Sequence, residues 1–367
     1  MQKILKLFLA LLLLFMALIS LGAQAQIVLP ADKITAIEAA IQAEMNQSKI
    51  PGLSVAIVMA DQLRYAKGFG LADVENSVPA KATTVYRLGS LSKPLTAIGV
   101  MQLAEKGKLE LDSPIQKYCP AFPVKPWPVS ARQLLGHLGG IRDYNNQKFL
   151  EEYLSTRRYN SVTESLSIFK DDPLIHEPGT KYAYSTYGYN LLGCAIEGAS
   201  TLTYENYLRD HILKPAGMEQ TGVDEVSRII SQRARGYSRT QEGSWNNTAL
   251  VDTSNKIPAG GLVSTVEDLS KFAIALRKGT LVSKASLEQM WTRQKTREGK
   301  ETSYGLGWNL SERNGLKEVY HGGSAAGFST FLYMIPEKGL AVVFLTNLEL
   351  LGRRDVLARQ IADIALR

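Results

Sequence analysis

Apolar residues between positions 31 and 47 recur at Ile34, Ile37, Ala40, Ile41 and Met45, the spacing of one face of an α-helix. Two short β-rich runs follow at 53–59 and 64–69, separated by the polar stretch around Asp61 and Gln62; together they predict a hairpin. From Ser90 to about residue 300 the pattern is mainly helical and loop-like. Within it, Ser130 followed by Gln133 predicts a capping box, and 265–276 predicts a further helix. The chain then turns β-rich again, with strands expected at 318–321, 328–335 and 340–346 and a closing helix at 355–366. The economical arrangement pairs the early hairpin with the late strands in one antiparallel sheet, covered by the first and last helices. The helical middle forms a second lobe.

The amino-terminal segment has a different character. Lys3 and Lys6 precede an almost wholly apolar stretch from 7 to 21, which ends at Ala23-Gln24-Ala25. That is the form of a secretory signal peptide cleaved before Gln26, and it predicts a periplasmic or secreted protein. An uncleaved membrane anchor is the alternative, although spanning a bilayer takes about 20 apolar residues. The expected organisation is 1–25 signal peptide and a single mature domain, 26–367. The α/β part of that domain is expected at about 31–89 and 301–367, and its helical lobe at about 90–300.

Composition adds mainly exclusions. The net charge of +7 contains no dense basic run with interleaved aromatics, so no nucleic-acid partner is expected. His137, His176, His211 and His321 are widely separated and match no zinc spacing, so neither metal nor cofactor is expected. Cys119 and Cys194 are the only cysteines. Export permits a disulfide between them, but the apolar run around Cys194 favours a buried, inert thiol.

The chemistry starts at Ser90-Leu91-Ser92-Lys93. Positions i and i+3 of a helix share a face, so the Lys93 amine can stand beside Ser90 Oγ. A serine hydroxyl needs such a base to become nucleophilic, and a lysine becomes one when apolar surroundings lower its pKa. The pattern alone is weak, because Ser167-Ile-Phe-Lys170 repeats it. Position separates the two copies: Ser90 opens a helix after a strand-like run, whereas Ser167 sits late in a short helix with a solvated face. Further along come Tyr182-Ala-Tyr184-Ser-Thr186, directly before an apolar helix, and His321-Gly322-Gly323, between two β-runs.

In this order and spacing, Ser90-x-x-Lys93, Tyr184-Ser-Thr186 and His321-Gly-Gly323 resemble the three-motif signature of class C β-lactamases and penicillin-binding DD-peptidases. The stretches Leu134-Leu-Gly-His137-Leu-Gly-Gly140-Ile-Arg142, Glu177-Pro-Gly179 and Pro258-Ala-Gly-Gly261-Leu262 extend the likeness over nearly all of 31–366. The first of these, with Tyr184-Ser-Thr186, is most similar to the LACTB-type branch. The resemblance implies an α/β fold of the α+β kind, β-lactamase/transpeptidase-like, and an acyl-serine hydrolase acting on an amide, ester or β-lactam bond. It implies Ser90 as nucleophile, Lys93 and Tyr184 as proton carriers, and Thr186 and His321 as substrate-orienting groups. The oxyanion would lie between the backbone N–H groups of Ser90 and Ser324, beside Gly323.

Two positions depart from that pattern: Thr186 stands where Asn is usual and His321 where Lys is usual. Both point away from efficient penicillin hydrolysis and leave acyl transfer intact. His321, with an ordinary pKa of about 6.5, is expected to favour uncharged esters or amides over carboxylate-bearing substrates, and to make any activity on the latter rise as the pH falls through its titration. The partner expected is a small-molecule or peptide substrate (a β-lactam, a D-alanyl peptide or an ester) bound by a monomer. An α/β-hydrolase is disfavoured because the chain has no Gly-x-Ser-x-Gly elbow. A non-catalytic β-lactam-binding module of the same fold is the remaining alternative.

Overall fold

The computed structural model describes residues 29–367; the expected signal segment lies outside the described residues. The first helix, α1 (Ala31–Ser48), buries Ile37, Ala40, Ile41 and Met45, the apolar face read from the sequence. A hairpin of β1 (Gly52–Met59) and β2 (Gln62–Asp73) follows. Its turn sits one residue earlier than expected, at Ala60 and Asp61, both of which have positive φ. Such a two-residue turn matches the natural twist of a hairpin.

These strands join β3 (Val78–Pro79), β4 (Asn309–Arg313), β5 (Leu316–Ala325), β6 (Phe328–Ile335) and β7 (Leu340–Thr346) in one antiparallel sheet. The strand order is β3-β2-β1-β7-β6-β5-β4. The junction between the chain's two ends is β1 against β7, with Val55 opposite Phe344. Alternation along these central strands feeds two cores. Leu53, Val55, Ile57, Val342 and Phe344 pack with α1 and with the closing helix α5 (Arg354–Leu366), while Ala56, Val58, Val343 and Leu345 join the core on the other face.

That second core contains α2 (Ser92–Glu105), α3 (Thr186–Ser200) and α4 (Val266–Arg277). In α2 every residue from Ser92 to Leu103 is buried, and a helix apolar on all sides must be enclosed by its neighbours. The expected capping box is present: Ser130 Oγ accepts from the Gln133 N–H and Gln133 Oε1 accepts from the Ser130 N–H. The middle of the chain also holds short strands, of which only the strand-like run before Ser90 is legible in the sequence. Leu262–Ser264 pairs with Tyr86–Arg87 on one side and Gly222–Val223 on the other. Two- and three-residue strands are too brief to show a period.

Two expectations are corrected. Cys194 is no free thiol: α3 brings it to Cys119, and the two form a disulfide with Cα atoms 5.5 Å apart. The apolar run around Cys194 reports burial, which a disulfide shares with a thiol. The segment His321-Gly322-Gly323 does not lie between β-runs but inside β5, which extends to Ala325. Glycine lowers strand propensity, yet here the ladder to β6 continues, with Gly323 opposite Thr330 and Ser324 opposite Ser329.

Candidate active site

Ser90 occupies a 3-10 turn, Gly89–Leu91, that runs directly into α2. The turn is fixed on both sides through Leu88, whose N–H donates to the Leu262 carbonyl at 2.8 Å and whose carbonyl accepts from Thr330 Oγ at 2.8 Å. Two glycines allow β5 to press against it. Gly89 has φ +54, and a Cβ there would stand 2.5 Å from the Ser324 carbonyl oxygen; a Cβ on Gly323 would stand 1.9 Å from the Leu88 carbonyl oxygen. The backbones of the nucleophile turn and of Ser324 are therefore in direct contact, as a shared oxyanion pocket requires.

Lys93 is fully buried one turn below, with Nζ 3.0 Å from Ser90 Oγ and donating to the Ala259 carbonyl at 3.0 Å. The segment Pro258–Leu262 thus supplies both the lysine's acceptor and the anchor of the Ser90 turn. Burial pushes the Lys93 amine down to about 7, Asp143 opposing and Lys256 reinforcing the shift. Near neutral pH a large share of the molecules therefore carry an unprotonated amine beside the serine hydroxyl.

Tyr184 closes the group. Its ring lies over the Lys93 ammonium at 4.8 Å and its hydroxyl meets the Ser90 side chain. Burial raises the phenol well above its ordinary value, with the Ser90 contact pulling the other way. The His137 ring packs at a tilt against Tyr184 with centroids 4.2 Å apart, and its Nδ1 accepts from the Ser185 N–H at 3.2 Å. Tyr184 is thereby held from behind by a residue that the sequence offered only as part of a familial stretch.

The structure brings Ser90, Lys93 and Tyr184 together. Thr186 sits differently: it is the first residue of α3, buried, with its N–H donating to Asp143 Oδ1 at 2.9 Å and its hydroxyl meeting the Tyr144 phenol. His321 is buried with Nε2 2.8 Å from the Tyr304 hydroxyl and Nδ1 2.7 Å from the Gly322 carbonyl. A carbonyl only accepts, so Nδ1 carries the proton and Nε2 accepts from Tyr304. Burial, reinforced by Lys93, pushes the imidazole down to about 3. This overturns the expected titration near 6.5: His321 is neutral throughout the ordinary pH range and cannot switch carboxylate recognition there.

Ser167, the rival serine, is exposed and donates to the Glu164 carbonyl at 2.8 Å. Among the described residues, no group of three or more His, Cys, Asp or Glu side chains is placed to hold a metal ion. Tyr304 and the buried Lys256 were not anticipated. Neither is part of a motif, although Lys256 stands two residues before the Pro258–Leu262 stretch, and folding brings both to the cleft.

The model of the family described as Beta-lactamase matches residues 37–366. The chain belongs to the beta-lactamase family. The human mitochondrial serine beta-lactamase-like protein LACTB is 31% identical over 78% of this chain and 69% of its own length. An octameric penicillin-binding protein homologue from Pyrococcus abyssi superimposes with a TM-score of 0.78 at 30% identity, covering 91% of this chain and 77% of that one. A D-amino acid amidase from Ochrobactrum anthropi SV3 shares the fold, with a TM-score of 0.77 at 24% identity over 92% of this chain and 98% of its own. This beta-lactamase-family chain is accordingly a serine hydrolase of the β-lactamase and penicillin-binding-protein fold.

Proposed function

We propose that the protein hydrolyses an amide or ester bond in a small molecule or short peptide through an acyl-Ser90 intermediate. The observation that carries this reading is the fully buried Lys93 amine 3.0 Å from Ser90 Oγ. Unprotonated Lys93 takes the Ser90 proton as Oγ bonds to the substrate carbonyl carbon. The carbonyl oxygen becomes the oxyanion, facing the Ser90 and Ser324 N–H groups. A donor of this kind contributes on the order of 3 kcal/mol to the transition state. Collapse of the tetrahedral adduct breaks the bond to the leaving amine or alcohol.

Tyr184 is a phenol at rest, so in this reading it gives its proton to that leaving group; the phenolate it becomes is stabilised by the adjacent Lys93 ammonium. It then recovers a proton from the water that attacks the acyl-enzyme, and Ser90 is released with its own proton restored from Lys93. Small-molecule amides as substrates are supported by the fold shared with the D-amino acid amidase. Export is supported by the Cys119–Cys194 bond, since disulfides persist in oxidising compartments.

The test is covalent labelling with a neutral fluorophosphonate, followed by mass spectrometry of the digest. Label is expected on Ser90 and is expected to disappear in Ser90→Ala. Label on Ser167, or undiminished label in Ser90→Ala, would overturn the assignment.

A further inference from the structure

The short helix Ala131–Leu135 ends in a Schellman turn: the Leu138 N–H donates to the Gln133 carbonyl at 2.7 Å and the His137 N–H to the Leu134 carbonyl at 3.2 Å. The residue just past the cap of such a turn is left-handed and is usually glycine. Here it is His137, with φ +58, and any residue with a Cβ is strained there relative to glycine. A second local cost accompanies the first. Because Nδ1 accepts from the Ser185 N–H, the ring proton sits on Nε2, which is buried without a hydrogen-bond partner among the described residues. Backbone strain and an unpaired donor at one residue packed against Tyr184 point to a task for its side chain rather than for the turn.

What the residue holds is Tyr184. The two N–H groups that flank this tyrosine both end on His137: Ala183 donates to its carbonyl at 2.9 Å and Ser185 to its Nδ1 at 3.2 Å. In the left-handed conformation the carbonyl and the side chain of one residue thus reach the same segment, 183–185. The imidazole also packs against the Tyr184 ring, with centroids 4.2 Å apart. Its other neighbours are themselves tied down. Tyr189 lies 5.2 Å away and donates through its hydroxyl to the Leu135 carbonyl at 2.8 Å. Tyr304 lies 4.6 Å away and donates to His321 of β5. One imidazole therefore joins the Tyr184 segment to a helix end on one side and, through Tyr304, to the oxyanion strand on the other.

We infer that His137 is a positioning residue for proton delivery to the leaving group: it fixes the Tyr184 hydroxyl beside Ser90 and meets no substrate itself. Its side chain is buried behind Tyr184, away from any bound molecule. This rests on the acyl-serine reading above, in which Tyr184 passes its proton to the departing amine or alcohol. The consequence is selective. An alkoxide or an amide anion leaves only with a proton and needs Tyr184 in place, whereas a nitrophenolate is stable as the anion at neutral pH and does not.

The experiment measures kcat/KM on the ethyl and p-nitrophenyl esters of N-acetyl-D-alanine in wild type, His137→Gly and His137→Asn. Both replacements suit the left-handed turn, and asparagine returns an acceptor close to Nδ1 without the ring. In His137→Gly the ethyl ester is expected to lose about 100-fold, the scale of a general acid, and the nitrophenyl ester less than about 5-fold; asparagine should recover part of the ethyl-ester loss. In a Tyr184→Phe background the same substitutions should add no further selectivity, because His137 acts through the Tyr184 hydroxyl. Equal losses on the two esters would make His137 a support of the fold and overturn the inference. An undiminished ethyl-ester rate would do the same, as would a selective loss that persists with Tyr184→Phe. If His137→Gly does not fold, the ratio of the two esters in His137→Asn gives the answer by the same criteria. Wild type that is labelled on Ser90 by the fluorophosphonate yet leaves the ethyl ester intact would also overturn the inference. Failure of Ser90 labelling in wild type would sink the acyl-serine reading itself.

Discussion

Lys93 and His321 show how one environment gives two bases opposite uses. Both are buried and both are pushed towards the neutral form by desolvation. Lysine starts high, so burial brings it to about 7, where it can accept a proton at working pH. Histidine starts near neutrality, so the same burial, reinforced by Lys93, takes it to about 3 and out of use as an acid-base group. The sign for activity follows: unprotonated Lys93 is the reactive form, so kcat/KM on a neutral ester should rise with pH through a single step near 7. Nitrogen NMR of His321 should show one unchanging Nδ1–H tautomer from pH 8 to pH 5. A His321 titration inside that interval would show that its site is wetter than the Tyr304 bond implies.

Among elements, the decisive contact is the one between the Ser90 turn and β5, made by backbone rather than by side chains. Gly323 lies within a strand, where glycine costs stability, and it is tolerated because any larger residue would collide with the Leu88 carbonyl. Gly323→Ala must therefore move either β5 or the turn. The expected outcome is a loss of about 1–3 kcal/mol in stability, as for other overpacked sites, and a far larger proportional loss in the rate of Ser90 labelling, because the oxyanion donors separate. Gly222→Ala is the control: a Cβ there meets nothing within 4 Å, so its labelling rate and melting temperature should match wild type. Equal behaviour of the two variants would mean that the interlock does not set the geometry of the site.

Across the whole molecule, the site depends on the chain's two ends meeting in one sheet. Ser90 follows the amino-terminal strands, whereas His321 and Ser324 come from the carboxy-terminal part, and β1 paired with β7 joins the two. On the helical side the Cys119–Cys194 bond ties α3, which begins at Thr186, to a loop 75 residues earlier. Closing a loop of that size contributes about 4 kcal/mol in the chain-entropy treatment. A Cys119→Ser/Cys194→Ser variant is expected to unfold at lower denaturant concentration by that scale, and reduction of the wild type should move it to the same midpoint. An unchanged midpoint after confirmed reduction would show that the helical lobe holds itself together without the bond.

By itself the sequence determined the elements that have a period or a local chemical signature. The α1 face, the hairpin, the buried strands β6 and β7, the Ser130 capping box and the Ser90-Lys93 pair were legible because neighbours at fixed spacing decide them. The tertiary structure decided everything that depends on burial or on contacts across long separations. The use of Cys194 was one such matter, since a thiol and a half-disulfide are equally apolar. The charge of His321 was another, because its pKa is set by Tyr304, Lys93 and the exclusion of water rather than by its own chemistry. The place of Arg354 was a third: in the sequence it is a basic residue beside the closing helix, and only the pairing of β5 with β6 beneath it sets its guanidinium against the Gly323 and Thr330 carbonyls.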